Sequence, residues 1–132
     1  MKTKNRLAYL LKNGTVINSK TDGLAQQAMP VQTKNQVISL LREHQQELQR
    51  FGVERCGLFG SFVRDTDIHA ESDVDILVVF EPEKKTFDNF MQLSFFLEDI
   101  FDRAVDLITI ESLSPYIGPH ILREVEYVSV ST

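Results

Sequence analysis

The sequence predicts an α/β (α+β) fold in which helices pack on a small mixed β-sheet. Three short apolar runs rich in β-branched residues, about 54–59, 73–80 and 104–110, have the length and composition of strands. Two longer segments, about 33–51 and 87–102, repeat apolar residues at helical spacing. Strands that alternate with helices are typical of layered α/β folds, and the sheet need not be all parallel.

The composition of the chain changes at about residue 33. Residues 1–32 contain polar and turn-forming pieces without long periodicity, so we expect an N-terminal extension there, with at most a short helix near 5–12 and a strand near 15–18. Residues 33–132 have the length and the apolar patterning of one domain.

Capping signals predict where the helices begin and end. Thr33 and Gln36 have the spacing of a capping box, and Gly52 is suited to end the helix that they begin. Thr86 is the corresponding N-cap of the second long helix. Three smaller elements are also expected: a helical turn over about 62–64, a helix over about 119–125, and a short strand or irregular tail over 126–130.

Charge and composition exclude several classes of protein. A net charge of -5 argues against a protein that coats nucleic acid, so no direct nucleic-acid binding is expected. The single cysteine, Cys56, excludes an internal disulfide and fits a reducing compartment. No apolar run approaches the roughly 20 residues of a membrane span. We therefore expect a cytoplasmic protein that does not contact a membrane.

Two aspartates open the most apolar strand. Asp73 and Asp75 are two residues apart, so both carboxylates point to one face of the strand. Like charges at the edge of a core repel each other, and a bound cation relieves that repulsion. Mg²⁺ prefers oxygen ligands, and paired carboxylates can bridge two such ions. Asp106 interrupts the third strand in the same way and would complete the set if the two strands are neighbours.

A glycine–serine pair lies just upstream, where the first strand ends. Gly60 allows backbone amides to approach a ligand closely, Ser61 adds a hydroxyl, and Arg64 follows one turn later. This combination predicts a turn that holds the phosphates of a nucleoside triphosphate. A hydroxyl would then attack the α-phosphorus and pyrophosphate would leave, with Asp106 drawing the proton or holding the ion that lowers the hydroxyl pKa. The chain has no Walker-type phosphate loop.

The motifs at 58–64, 72–78 and 105–108, together with the tail at 113–127, resemble the minimal nucleotidyltransferases of the DNA polymerase β superfamily. The resemblance covers about residues 33–128. In that family the glycine–serine turn binds the triphosphate and three aspartates bind Mg²⁺. These roles map here to Gly60 and Ser61 and to the three carboxylates Asp73, Asp75 and Asp106. The spacing between the turn and the aspartate pair is one residue longer than usual, which we interpret as a loop insertion around 67–70.

The resemblance also implies a biological context. Such proteins are often antitoxins encoded beside a HEPN-domain ribonuclease toxin, which they neutralise by transferring AMP from ATP to a tyrosine of the toxin. The expected partners are therefore ATP and a HEPN toxin.

Two alternatives stay open at this point. One is a nucleotidyltransferase that modifies a small molecule of the aminoglycoside type. The other is a non-catalytic antitoxin that binds nucleotide and sequesters its toxin by contact alone.

Overall fold

A computed structural model describes residues 29–130 of the chain. The helix expected near 5–12 and the strand expected near 15–18 lie outside the described residues. Within them, the strands and helices follow each other in the order that the sequence predicts, and the mixed α/β class is confirmed. The described residues include no helix that is both long enough and apolar enough to cross a membrane.

Four strands and five helices, numbered here in chain order, make up the described domain. The strands are β1 (Val53–Phe59), β2 (Val74–Phe80), β3 (Val105–Thr109) and β4 (Glu126–Val128). The helices are α1 (Lys34–Glu43), α2 (Gln45–Arg50), α3 (Ser61–Arg64), α4 (Phe87–Phe101) and α5 (Gly118–Glu124), and two single 3₁₀ turns occupy Pro82–Lys84 and Ile110–Ser112.

The strands form one mixed sheet in the order β3-β2-β1-β4. β2 and β3 are parallel, while β1 pairs antiparallel with β2 on one side and with β4 on the other. Parallel neighbours need a long crossover, and α4 supplies it between β2 and β3. Because β2 is flanked on both sides, its apolar run is buried along most of its length.

The two faces of the sheet are covered unequally. One face carries the main core, in which alternate residues of β2 (Val74, Ile76, Val78 and Phe80) are buried with apolar residues of α1, α2 and α4. The opposite face carries a smaller cluster of Phe59, Leu77 and Ile121, the last of them on α5. Asp75 alternates with Ile76 and therefore lies on this thinner face.

The single helix expected over 33–51 is wrong in one respect, because the structure breaks it at His44. The backbone of His44 has φ -109° and ψ 25°, which is outside the helical region. Its ring nitrogen Nδ1 lies 2.9 Å from the carbonyl oxygen of Leu40, and the ring packs edge-on against Phe96 at 5.5 Å between centroids. Tertiary packing of this ring therefore accounts for two short helices in place of one long one.

Candidate active site

The strand register brings two of the predicted acids side by side. In the parallel pair β2/β3, Asp75 lies opposite Asp106, and in the antiparallel pair β1/β2, Asp75 lies opposite Phe59, next to the glycine–serine turn. Residues opposite each other in a ladder point to the same face. Asp75 is half-buried in the central part of the sheet, whereas Asp106 is exposed on the edge strand β3.

Like charges gather around Asp75. Burial raises the pKa of its carboxyl, and the nearby carboxylates of Asp106, Asp73 and Glu124 raise it further, while Arg64 lowers it, to a pKa of about 7. Asp73 comes two residues earlier, just before β2 begins, and shares this environment. The site therefore concentrates negative charge in a partly buried region, which costs free energy unless a positive charge compensates it.

The donor set of the site suits a hard divalent cation. Three carboxylates and no nitrogen or sulfur ligand are typical of Mg²⁺ sites, and the raised pKa of Asp75 reflects a repulsion that a cation would relieve. Within residues 29–130, however, no three His, Cys, Asp or Glu side chains already surround one point closely enough to hold an ion. The acids thus share one region without forming a closed cage, and their roles as Mg²⁺ ligands stay predictions.

The glycine–serine turn lies directly against Asp75. Gly60 has φ +77°, and a Cβ atom added there would overlap the Asp75 carboxylate. Only glycine therefore satisfies both the backbone angle and the close approach. Ser61 begins α3, in which the N–H groups of Val63 and Arg64 donate to the Gly60 carbonyl oxygen at 3.1 and 3.2 Å. The N–H groups of Ser61 and Phe62 have no acceptor within that helix. The turn and the acids are thus adjacent, as the sequence analysis requires.

Arg64 is at the end of α3 and is paired with an acid that the sequence analysis missed. Its Nη1 donates to Oε1 of Glu124 at 2.7 Å, and the N–H of Gly60 donates to Oε2 of the same carboxylate at 2.7 Å. Glu124 is the last residue of α5. The only signal for it in the sequence was the resemblance of residues 113–127 to the tail of the family. That resemblance identifies the segment but does not indicate which of its residues contacts the site.

Arg103 is a second residue that the sequence analysis did not single out. Its Nη1 donates to the carbonyl oxygens of His69, Ala70 and Ser72 at 2.9, 3.2 and 3.1 Å, and its Nε donates to Val31 at 2.6 Å. The guanidinium also lies over the ring of Phe62, 5.3 Å from its centroid. Arg103 therefore holds the loop that leads into Asp73.

Known proteins are similar to most of this chain. Residues 40–128 match the family model described as a nucleotidyltransferase domain. The chain is 43% identical over 101 residues to the protein adenylyltransferase MntA of Thermococcus cleftensis, an alignment that covers 76% of this chain and all of the relative. It is 34% identical to a proposed protein adenylyltransferase, MJ1379, of Methanocaldococcus jannaschii, over 74% of this chain and all of that protein.

Two solved structures share the fold. One is a proposed minimal nucleotidyltransferase, with a TM-score of 0.57 and 28% identity, covering 76% of this chain and 98% of the other. The second is a toxin–antitoxin complex with AMP-PNP, with a TM-score of 0.52 and 26% identity over 71% of this chain and 70% of the matched chain. AMP-PNP is an ATP analogue, so a similar chain occurs in a complex that contains this type of nucleotide.

Proposed function

Because this chain belongs to the nucleotidyltransferase family, we propose that it transfers AMP from ATP to a hydroxyl of a partner protein and acts as the antitoxin of a HEPN ribonuclease toxin. The observation that carries the proposal is the register that sets Asp75 opposite Asp106, with the Gly60 turn against Asp75. The similarity to a protein adenylyltransferase and to a toxin–antitoxin complex with AMP-PNP supports the choice of nucleotide and of partner class.

The nucleotide side of the reaction falls to the turn. The N–H groups of Ser61 and Phe62 and the Ser61 hydroxyl can donate to phosphate oxygens, and the Arg64 guanidinium adds positive charge within one helical turn. Gly60 keeps the backbone close to Asp75, so the phosphates would lie beside the acids. The triphosphate would thus be held with its α-phosphorus near the carboxylates of the site.

The acids Asp73, Asp75 and Asp106 would hold Mg²⁺, for which two ions are expected. When bound, the metal neutralises phosphate charge and makes the α-phosphorus easier to attack. Asp75 and Asp106 lie opposite each other in the sheet, and Asp73 lies beside them at the start of β2. The excess of negative charge that these acids create around Asp75 is what a bound cation would neutralise.

The acceptor side of the reaction falls to Asp106. Its carboxylate is exposed on the edge strand, where a hydroxyl carried by another protein can reach it, and it would accept the hydroxyl proton. The acceptor oxygen then bonds to the α-phosphorus, the bond between that phosphorus and the bridging oxygen breaks, and pyrophosphate leaves with the electron pair. A toxin tyrosine is the acceptor that we propose.

A direct test mixes the chain with a HEPN-domain toxin from the same genome and Mg–ATP, and weighs the toxin by mass spectrometry. We expect the toxin to gain one or more AMP units and to lose ribonuclease activity. The Asp73→Asn/Asp75→Asn double variant should produce no mass change, because it removes two of the three carboxylates. Asp67→Asn, an exposed loop aspartate, is the matched control and should retain transfer.

Two results would contradict the proposal. An unmodified toxin that the double variant still neutralises would favour sequestration by contact. A toxin left both unmodified and active, together with AMP transfer to an aminoglycoside, would favour a small-molecule acceptor.

A further inference from the structure

One carboxylate links Arg64, whose guanidinium would meet the triphosphate, to Gly60, which sets the backbone of the turn. We propose that Glu124 is a positioning residue: it fixes the Arg64 guanidinium and the Gly60 backbone in the arrangement that receives the β- and γ-phosphates. The inference rests on the proposed function, because it assigns a role to Glu124 within the same nucleotide site. Glu124 itself does not touch the nucleotide in this account.

The geometry uses each carboxylate oxygen once. Oε1 accepts from Arg64 Nη1 at 2.7 Å and Oε2 accepts from the Gly60 N–H at 2.7 Å, across 60 and 64 residues of sequence. Hydrogen bonds to an ionised carboxylate are shorter and stronger than neutral ones. The Glu124 side chain therefore sets the distance between Gly60 and the Arg64 guanidinium.

The backbone that carries Glu124 is itself held in place. Ile121, one turn earlier on α5, is buried against Phe59 and Leu77 on the thinner face of the sheet. Val125, the next residue, packs over Gly57 so closely that a Cβ atom at Gly57 would lie 2.5 Å from its side chain. Glu124 thus extends from an anchored segment, as a positioning residue must.

Arg64 needs such a partner more than a buried residue would. Its side chain is 55% exposed, whereas that of Glu124 is 21% exposed. An exposed arginine samples several rotamers, and ordering it on binding costs conformational entropy. Among residues 29–130 the pair uses Nη1 and leaves the Nε and Nη2 donors for a phosphate. Glu124 therefore pre-orders Arg64 without consuming its capacity to bind the ligand.

The test measures nucleotide binding by calorimetry on the full chain, with Mg–AMP-PNP and with Mg–AMP as probes, so that no acceptor protein is needed. Glu124→Gln should weaken Mg–AMP-PNP binding on the order of 10-fold, because a glutamine can accept from only one of the two donors. Binding of AMP, which lacks the β- and γ-phosphates, should change less than about 2-fold. In transfer assays the KM for ATP should rise while kcat stays nearly constant.

The matched control is Glu126→Gln. Glu126 lies two residues further along and pairs with Lys34 at 3.0 Å rather than with Arg64 or Gly60, so its removal should leave nucleotide binding unchanged. A second variant, Glu124→Asp, retains the charge but shortens the reach and should weaken Mg–AMP-PNP binding as Gln does. This variant provides the readout if Glu124→Gln does not melt cooperatively.

A double-mutant cycle separates positioning from a general structural role. In an Arg64→Met background, Glu124→Gln should weaken binding by less than about 3-fold more, because the side chain that it orients is already gone and only its bond to the Gly60 N–H remains to be lost. A full additional loss there, or an equal loss for AMP, would overturn the inference. Tighter binding of Mg–AMP-PNP by Glu124→Gln would also overturn it, since that result means that the carboxylate competes with phosphate.

The experiment separates failure of the inference from failure of the proposed function. A wild-type chain that binds no Mg–AMP-PNP would overturn both. Wild-type binding that Glu124→Gln and Glu124→Asp leave unchanged would overturn only the role of Glu124.

Discussion

Asp75 is the residue in which the conflict between folding and function is most visible. Its half-buried carboxyl lies among three other acids, and its pKa of about 7 compares with 3.8 for a free aspartate side chain. In metal-free molecules the carboxyl therefore takes up its proton near neutral pH rather than near pH 4. Acidic residues are unfavourable inside a buried strand and occur there mainly where a ligand requires them. For this reason Asp75 could be identified from the sequence as a candidate site residue.

This pKa shift predicts a pH-dependent stability in the presence of EDTA. Between pH 3.8 and about 7 the folded chain keeps a proton on Asp75 that the unfolded chain releases, so the free energy of unfolding should fall as pH rises through this window. The Asp75→Asn variant lacks this titration. Its free energy of unfolding should exceed that of the wild type by about 1–2 kcal/mol at pH 8, after allowance for solvent screening, and should equal it near pH 4.

Urea unfolding at several pH values measures the difference between the two proteins. Asp67→Asn, whose left-handed backbone angle asparagine tolerates, is the control and should follow the wild-type profile. A wild type that is as stable as Asp75→Asn at pH 8 would show that the carboxyl is not strained in the folded chain.

At the scale of elements, the local signals in the sequence predict the observed ends closely. Thr33 and Thr86 are N-caps as expected, with their hydroxyl oxygens accepting from the N–H groups of Gln36 and Asn89 at 3.2 and 3.1 Å. Gly52 follows α2 with φ +89°, as a helix-ending glycine does. The break at His44 could not be predicted, because it depends on Phe96, which lies 52 residues away in sequence on α4.

The loop before β2 supplies a prediction at the same scale. Arg103→Lys replaces a planar guanidinium, which donates to carbonyls on two sides, by an ammonium that cannot span them. We expect a loss of about 1–2 kcal/mol in the free energy of unfolding. Hydrogen exchange should also become faster at the Ser72 amide, which is bonded to the His69 carbonyl at 3.0 Å.

Mass-spectrometric hydrogen exchange of peptides from this loop provides the measurement. Arg42→Lys, an exposed arginine of α1, is the matched control and should leave the exchange of the loop unchanged. Equal protection of residues 69–72 in Arg103→Lys and in the wild type would mean that Arg103 does not hold the loop.

At the scale of the whole molecule, the sheet order explains what the sequence could and could not predict about the site. The convergence of Asp75 and Asp106 was a conditional expectation, and the parallel pairing of β2 with β3 meets the condition. The contact of Glu124 with the turn depends on β4 and α5 returning to β1, more than 60 residues away in sequence. Local patterns contain no information on that return, so Glu124 became apparent only in three dimensions.

We propose that Asp73, Asp75 and Asp106 hold divalent ions beside a nucleotide on the Gly60 turn. Bound Mn²⁺ can be counted by electron paramagnetic resonance, with and without AMP-PNP, because Mn²⁺ takes the oxygen ligands that suit Mg²⁺. The wild type should bind one or two ions that depend on the nucleotide, and Asp73→Asn/Asp75→Asn should bind none at the same concentration. Equal Mn²⁺ binding by the two proteins would show that these carboxylates do not hold the ions.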